Sequence, residues 1–182
     1  MATQRTKRPN HKVGIIGKQG VGKSSLRRKY GLEYDIDRLA VDVANEPSTV
    51  QVIERPTHKN KTDFTSSVPE YCFRVSDGFM CVYSITKRES FVGLENLIKQ
   101  ILRIKRMPRV PMLIIGNKCE QEEIREVSPI EGLQLAKKYG CEFYEVSAAC
   151  GANTAVVFNE ILHCIHKHKK AQDFTNTSCI VF

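Results

Sequence analysis

Residues 17–24 read Gly17-Lys18-Gln19-Gly20-Val21-Gly22-Lys23-Ser24 and fit the pattern GxxxxGK[ST], which constrains the fold more than any other stretch. The run Val13 to Ile16 before it is short and aliphatic and predicts a buried strand. Lys23 to about Lys29 predicts a short helix that Gly31 ends. Strand, glycine-rich loop and helix in that order are the context in which the pattern has chemical meaning. Successive backbone N–H groups and a helix N-terminus surround a phosphate, and glycines permit the tight path. Lys23 places a point charge on terminal phosphates, and Ser24 offers a hydroxyl to Mg²⁺.

The remaining pattern predicts an α/β fold. Residues 38–44 and 49–54 alternate partially with period two around Asn45-Glu46-Pro47-Ser48, a hairpin with its turn. Residues 55–70 are polar, with one Phe and two Pro, and read as a loop or weak helix. Phe79 to Tyr83, Met112 to Ile115 and Cys141 to Val146 read as buried strands. Phe91, Leu94, Leu97, Ile98, Ile101 and Leu102 recur at helical spacing, residues 129–139 form another helix, and Asn153 or Thr154 caps a last one. The sum is a mostly parallel six-stranded sheet with helices on both faces. The expected organisation is a basic N-terminal extension (1–12), one domain (13–170) and a flexible tail (171–182).

Charge narrows the function. The 182 residues carry 28 Lys+Arg against 20 Asp+Glu, a net +8. The surplus concentrates at Arg5 to Lys12, Arg27 to Lys29, Lys99 to Arg109 and Lys167 to Lys170. Such a chain meets nucleic acid, an anionic membrane or phosphorylated ligands. No zinc-finger, RNA-recognition or basic-zipper pattern accompanies the charge, so no nucleic-acid partner is expected. No apolar run approaches the ~20 residues of a membrane span, no secretory leader is apparent, and seven cysteines read as reduced thiols.

Two further motifs lie after buried strands: Gly116-Asn117-Lys118-Cys119-Glu120 and Glu145-Val146-Ser147-Ala148-Ala149. With the phosphate loop, DGFMCVYSIT, Ser90-Phe91, QILRIK, VPMLIIGNKC and FYEVSA, they make the chain resemble the Ras family of small GTPases, near its Rheb, Rap and Ras members. The resemblance covers well over half the chain and implies a P-loop NTPase of the Ras-like G-domain type. GTP or GDP and Mg²⁺ are the implied ligands, with effector and regulator proteins as partners. Its nucleotide contacts map onto Gly17, Gln19, Gly20, Val21, Gly22, Lys23, Ser24 and Ser25, and onto Asn117, Lys118, Glu120, Ser147, Ala148 and Ala149. Ser24 would hold Mg²⁺, and Asp37 is a weaker metal candidate. Lys23 is the one candidate for stabilising charge in catalysis. The family's Asn-Lys-x-Asp element reads guanine, and the Ser-Ala element offers a backbone N–H to the base.

The departures are equally specific. Glu120 stands where the family has Asp, and Ala149 where it commonly has Lys. Asp37 stands where a switch Thr belongs. No Gly occurs between Gly31 and Gly78, so the family's Asp-x-x-Gly element and its Gln are missing. The corresponding segment, Arg55 to Thr62, offers only His58 for orienting water. Gln19 replaces a common Gly and would crowd a terminal phosphate. Binding is therefore expected to outlast hydrolysis; the alternative is a pseudo-GTPase serving as an interaction module.

The terminal Cys179-Ile180-Val181-Phe182 fits C-a-a-X, with Phe favouring a geranylgeranyl group on Cys179 and a prenyltransferase as a partner. A single prenyl chain anchors only reversibly, so a second signal is needed. Lys167, Lys169 and Lys170 are the candidates, facing an anionic leaflet from the cytoplasmic side.

Overall fold

The computed structural model describes residues 9–32, 38–53, 70–107 and 109–177, with side chains as far as Asp173. In chain order the elements are β1 (Asn10–Ile16), α1 (Lys23–Lys29), β2 (Leu39–Val43), β3 (Glu46–Ile53), α2 (Glu70–Val75) and β4 (Gly78–Ser84). Then come α3 (Arg88–Lys105), β5 (Met112–Asn117), a 3-10 turn at Glu122–Ile124, α4 (Pro129–Tyr139), β6 (Glu142–Val146) and α5 (Thr154–Thr177). One six-stranded sheet has the order β2-β3-β1-β4-β5-β6. Only β2 runs antiparallel to its neighbour.

The period-two alternation of the strands divides the core between two faces. On β4, Met80 and Val82 point with Val13, Ile15, Leu113 and Ile115 toward Leu26 of α1, Tyr30 just after it, and Val157, Phe158, Ile161 and Ile165 of α5. Phe79, Cys81 and Tyr83 point the other way, with Met112 and Ile114, toward Phe73 of α2, Leu94, Ile98 and Ile101 of α3, and Leu135 of α4. Burial of these side chains, each contributing about 1.5–3 kcal/mol, covers both faces of the sheet as the strand–helix alternation predicts. Helix α4 starts where its sequence says: Ser128 and Glu131 form a reciprocal capping box around Pro129, and Gly140 closes the end with a left-handed φ of 65°.

Four boundaries differ from the sequence expectation. Strand β1 begins at Asn10, so residues 10–12 of the expected extension pair with Thr49, Val50 and Gln51 of β3. The hairpin turn is Ala44-Asn45, both with positive φ (52° and 64°), and Pro47 and Ser48 lie inside β3. A two-residue turn makes Val43–Glu46 a hydrogen-bonded pair, so Pro47 falls at the next, non-bonded pair opposite Asp42. Its missing N–H therefore costs the β2–β3 ladder nothing. Helix α2, at Glu70–Val75, begins at the last residue of the segment expected as a loop or weak helix, 55–70, of which residues 55–69 lie outside the described ones. Helix α5 runs to Thr177, through most of the segment expected to be a flexible tail. No Pro or Gly interrupts residues 154–177, and helix propagation costs little once the core-facing turns are packed.

Helices antiparallel to their strands bring the C-terminal ends of α2, α3 and α5 to the edge where the parallel strands begin. There Lys169 of α5 donates to Asn10 O (2.8 Å) and Asp77 Oδ2 (2.6 Å), and Asp77 also accepts from the Lys12 N–H (2.8 Å). Lys170 pairs with Glu46 (2.7 Å). Two of the three lysines expected to face a membrane, Lys169 and Lys170, thus have carboxylate partners within the fold. His11 and His166 meet edge to face in the same seam, with ring centroids 5.9 Å apart.

Candidate functional site

The opposite edge, where the strands end, assembles the loops singled out in the sequence. Residues 17–22 follow β1, residues 118–121 follow β5 and residues 147–153 follow β6. Gly17 (φ 149°) and Gly22 (φ 96°) adopt backbone conformations that L side chains rarely tolerate. A Cβ on Gly17 would fall on the Val82 carbonyl oxygen, and one on Gly22 would fall on the Asn117 side-chain amide. Both glycines therefore serve close approach as well as curvature. Gln19 and Gly20 are exposed at the rim, Val21 is buried beneath it, and Ser24 and Ser25 are half-buried in the first turn of α1.

Lys23, the first residue of α1, is 9% exposed. Its ammonium donates to Gly17 O (3.0 Å) and Lys18 O (2.8 Å), curling back over the loop it follows. The charge is thus held inside the ring of loop amides, where an oligophosphate would neutralise it.

Asn117 joins the two halves of the site. It is almost fully buried, and its amide donates to Val21 O (2.7 Å) while its Oδ1 accepts from the Ala148 N–H (3.0 Å). The phosphate loop and the loop after β6 are stapled through one side chain. In this geometry the Ala148 N–H, expected to meet the base, is already bonded to Asn117. Ser147 is fully buried, its hydroxyl accepting from the Cys150 N–H (3.1 Å) and its carbonyl from the Gly151 N–H (2.8 Å). Lys118 is half-buried in a left-handed conformation (φ 71°), whereas Glu120, Ala149 and Cys150 are exposed.

A cavity of about 460 Å³ opens between α1 and this loop, lined by Ser25, Arg28, Lys29, Ala148 and Ala149. Lys29 and Arg28 are site residues that the sequence offered only as a charge run, because nothing local shows which loop α1 faces. The Lys29 ammonium lies 3.9 Å from the position a Cβ on Gly151 would take. Arg125 was missed altogether. Its guanidinium bridges Glu122 (2.5 Å) and Glu145 (2.6 Å), clasping the segment after Glu120 to β6. These partners are 3 and 20 residues away, so spacing gives no signal for the longer link.

The local field separates the thiols. Burial raises Cys141 and Cys164 to about 11, while the Ser147 hydroxyl lowers exposed Cys150 below the usual thiol value. All six cysteines among the described residues are free. Among the described residues no group of three or more His, Cys, Asp or Glu side chains is gathered to hold a metal. Ser24 is the described metal candidate. Asp37, His58, the rest of 55–62 and Cys179 lie outside the described residues.

Comparison with known proteins agrees with this geometry. The model of the Ras family matches residues 12–167. The Ras-like protein rasS of Dictyostelium discoideum is 34% identical over 178 residues, covering 92% of this chain and 90% of its own. The stapled phosphate and Ser-Ala loops at one edge of a mostly parallel six-stranded sheet, with this match over most of its length, place the chain in the Ras family of small GTPases.

Proposed function

We propose that the protein is a guanine-nucleotide-binding signalling protein, prenylated at Cys179 on the cytoplasmic face of a membrane, in which nucleotide binding persists while hydrolysis is slow. The observation that carries binding is the buried Asn117 amide, which donates to Val21 O and ties the phosphate loop to the end of β5. Pre-formed loops spare the entropy of ordering them on association. The residues fit an oligophosphate: Lys23 sits inside the loop, Ser24 stands at the first turn of α1, and Gly17 and Gly22 leave the cradle open. Bound Mg²⁺ would supply charge neutralisation on the phosphates, held through Ser24.

Slow turnover follows from what this chain places near a terminal phosphate. Positioning an attacking water needs a polar side chain opposite the loop. The family's Gln is absent from the sequence, and Gln19 occupies the rim. Glu120 keeps a carboxylate for guanine on a longer arm, and a strained bond there costs on the order of 1–3 kcal/mol. Among the described residues no helix is long and apolar enough to cross a membrane. The lipid on Cys179 is the proposed anchor.

One observation favours a second reading, a pseudo-GTPase that serves as an interaction module. The Asn117 side chain and the Ala148 N–H already satisfy each other, so a base must compete with Asn117 for that donor. Nucleotide content of the purified protein, followed by GDP and GTP titration with and without Mg²⁺, separates the two. Co-purifying guanine nucleotide with single-turnover hydrolysis well below the rate of a Ras protein run in parallel is the expected result. Empty protein without measurable affinity transfers the conclusion to the interaction module, and family-typical hydrolysis removes the claim of slow turnover. Incubation with geranylgeranyltransferase and mass analysis of the C-terminal peptide tests Cys179.

A further inference from the structure

A single prenyl chain requires a second source of membrane affinity, and two of the three lysines nearest the tail are already paired, Lys169 with Asp77 and Lys170 with Glu46. Uncommitted positive charge lies elsewhere on the same edge of the sheet. Helices α2 and α3 end side by side there, fastened by Lys105, whose ammonium donates to Arg74 O (3.1 Å) and to Ser76 O. Between them opens a cleft of about 370 Å³ lined by Glu70, Arg74, Arg103, Ile104 and Arg106. That volume is at the lower end of small-ligand sites, ~300–1,000 Å³.

The charge of the lining favours an anion. Glu70 is neutralised by its ion pair with Arg74. Arg103 and Arg106 are exposed and pair with no carboxylate among the described residues, so the cleft carries a net surplus of positive charge. Guanidinium groups bind phosphate oxygens as bidentate forks, and two such groups lining one cleft favour a multiply phosphorylated group over a single carboxylate. The negative end of the α3 dipole is blunted locally, because the Arg106 N–H closes on Leu102 O (3.1 Å) in a left-handed cap.

The position of the cleft selects among anions. Lys169 of α5 grips Asp77, two residues beyond the end of α2, so the cleft and the helix leading to Cys179 share one edge, opposite the candidate nucleotide site. A planar anionic surface that receives a lipid on Cys179 is thereby presented to Arg103 and Arg106 as well. We propose that this α2–α3 cleft binds the multiply phosphorylated headgroup of a membrane lipid and supplies the second anchoring signal that the tail lysines do not. The assignment of a membrane partner rests on the reading above, but the headgroup site acts without the prenyl group.

The test therefore uses the full-length, unprenylated protein, so that a failure of prenylation at Cys179 leaves its outcome untouched. Binding is measured to phosphatidylcholine vesicles doped with phosphatidylinositol bisphosphate, to phosphatidylcholine vesicles doped with phosphatidylserine to the same surface charge, and to soluble inositol trisphosphate. The native chain is compared with Arg103→Gln/Arg106→Gln and with Arg38→Gln/Lys87→Gln, which removes two exposed charges outside the cleft. Tightest binding to the bisphosphate vesicles is expected. The cleft variant should lose about 30-fold, roughly fivefold per charge near a surface, while the control changes by less than about twofold. Equal loss in both variants, or equal binding to phosphatidylserine, overturns the proposal in favour of diffuse attraction. Soluble inositol trisphosphate held as tightly as the vesicles overturns the assignment to a lipid. Exposed Arg→Gln changes leave the core untouched, and matching thermal midpoints confirm that the variants fold.

Discussion

His11 makes the fold sensitive to mild acid. It is 1% exposed in β1, neither ring nitrogen has a hydrogen-bond partner among the described residues, and it lies against His166 of α5 with Lys169, Asp77 and Glu46 nearby. Burial, reinforced by the Lys169 ammonium, lowers its pKa from 6.5 to about 4; Asp77 and Glu46 oppose the shift but do not cancel it. The folded state therefore holds its proton less tightly than the unfolded chain. Stability is unaffected well above pH 6.5 and falls as the pH drops from 6.5 toward 4. Between pH 7.5 and 5 a gap of this size amounts to about 2 kcal/mol, a large share of a typical ~5–15 kcal/mol. Urea unfolding at fixed excess GDP, followed by circular dichroism, should show that loss in the native chain and a shallower slope in His11→Phe, whose ring cannot charge. Carboxylates titrate in both proteins and cancel in the comparison. Identical pH slopes, or an NMR titration of the His11 ring with a midpoint near 6.5, would refute the reasoning.

Three further outcomes follow from the candidate site. Asn117→Ala leaves Val21 O and the Ala148 N–H buried without partners; thermal and urea melts should report at least about 2 kcal/mol of lost stability, with guanine-nucleotide affinity falling in parallel calorimetry. Gly22→Ala places a Cβ at φ 96° against the Asn117 amide; the strain costs roughly 1–3 kcal/mol, and isothermal titration should show weakened nucleotide binding while circular dichroism remains folded. Iodoacetamide at pH 7.5 should label Cys150 before Cys141 and Cys164, because its thiol is exposed and lowered while theirs are raised by burial. Excess GDP should slow that labelling if the loop after β6 covers the base, which peptide mass mapping reads directly.

The sequence alone determined the architecture and the identity of the loops. Apolar runs of strand length separated by helical periodicity admit little besides a covered parallel sheet, and the helix expected at 129–139 from its apolar spacing is α4, Pro129–Tyr139. The phosphate loop was legible because Gly, Lys and Ser must stand at fixed intervals along one stretch of backbone. Pro47 and the end of α5 misled, because turn and tail composition is a local signal. Strand pairing phase and a packed helix override such signals. Only the tertiary structure showed that Asn117 is a staple, that Arg125 clasps Glu145, and that Lys29 faces the loop after β6. The fold likewise decided which positive charges are committed. Lys169 and Lys170 are neutralised by Asp77 and Glu46, 92 and 124 residues away in the chain, whereas Arg103 and Arg106 share a cleft with α2. A hydrogen bond or an ion pair depends on distance in space, and a linear sequence fixes that distance only between near neighbours.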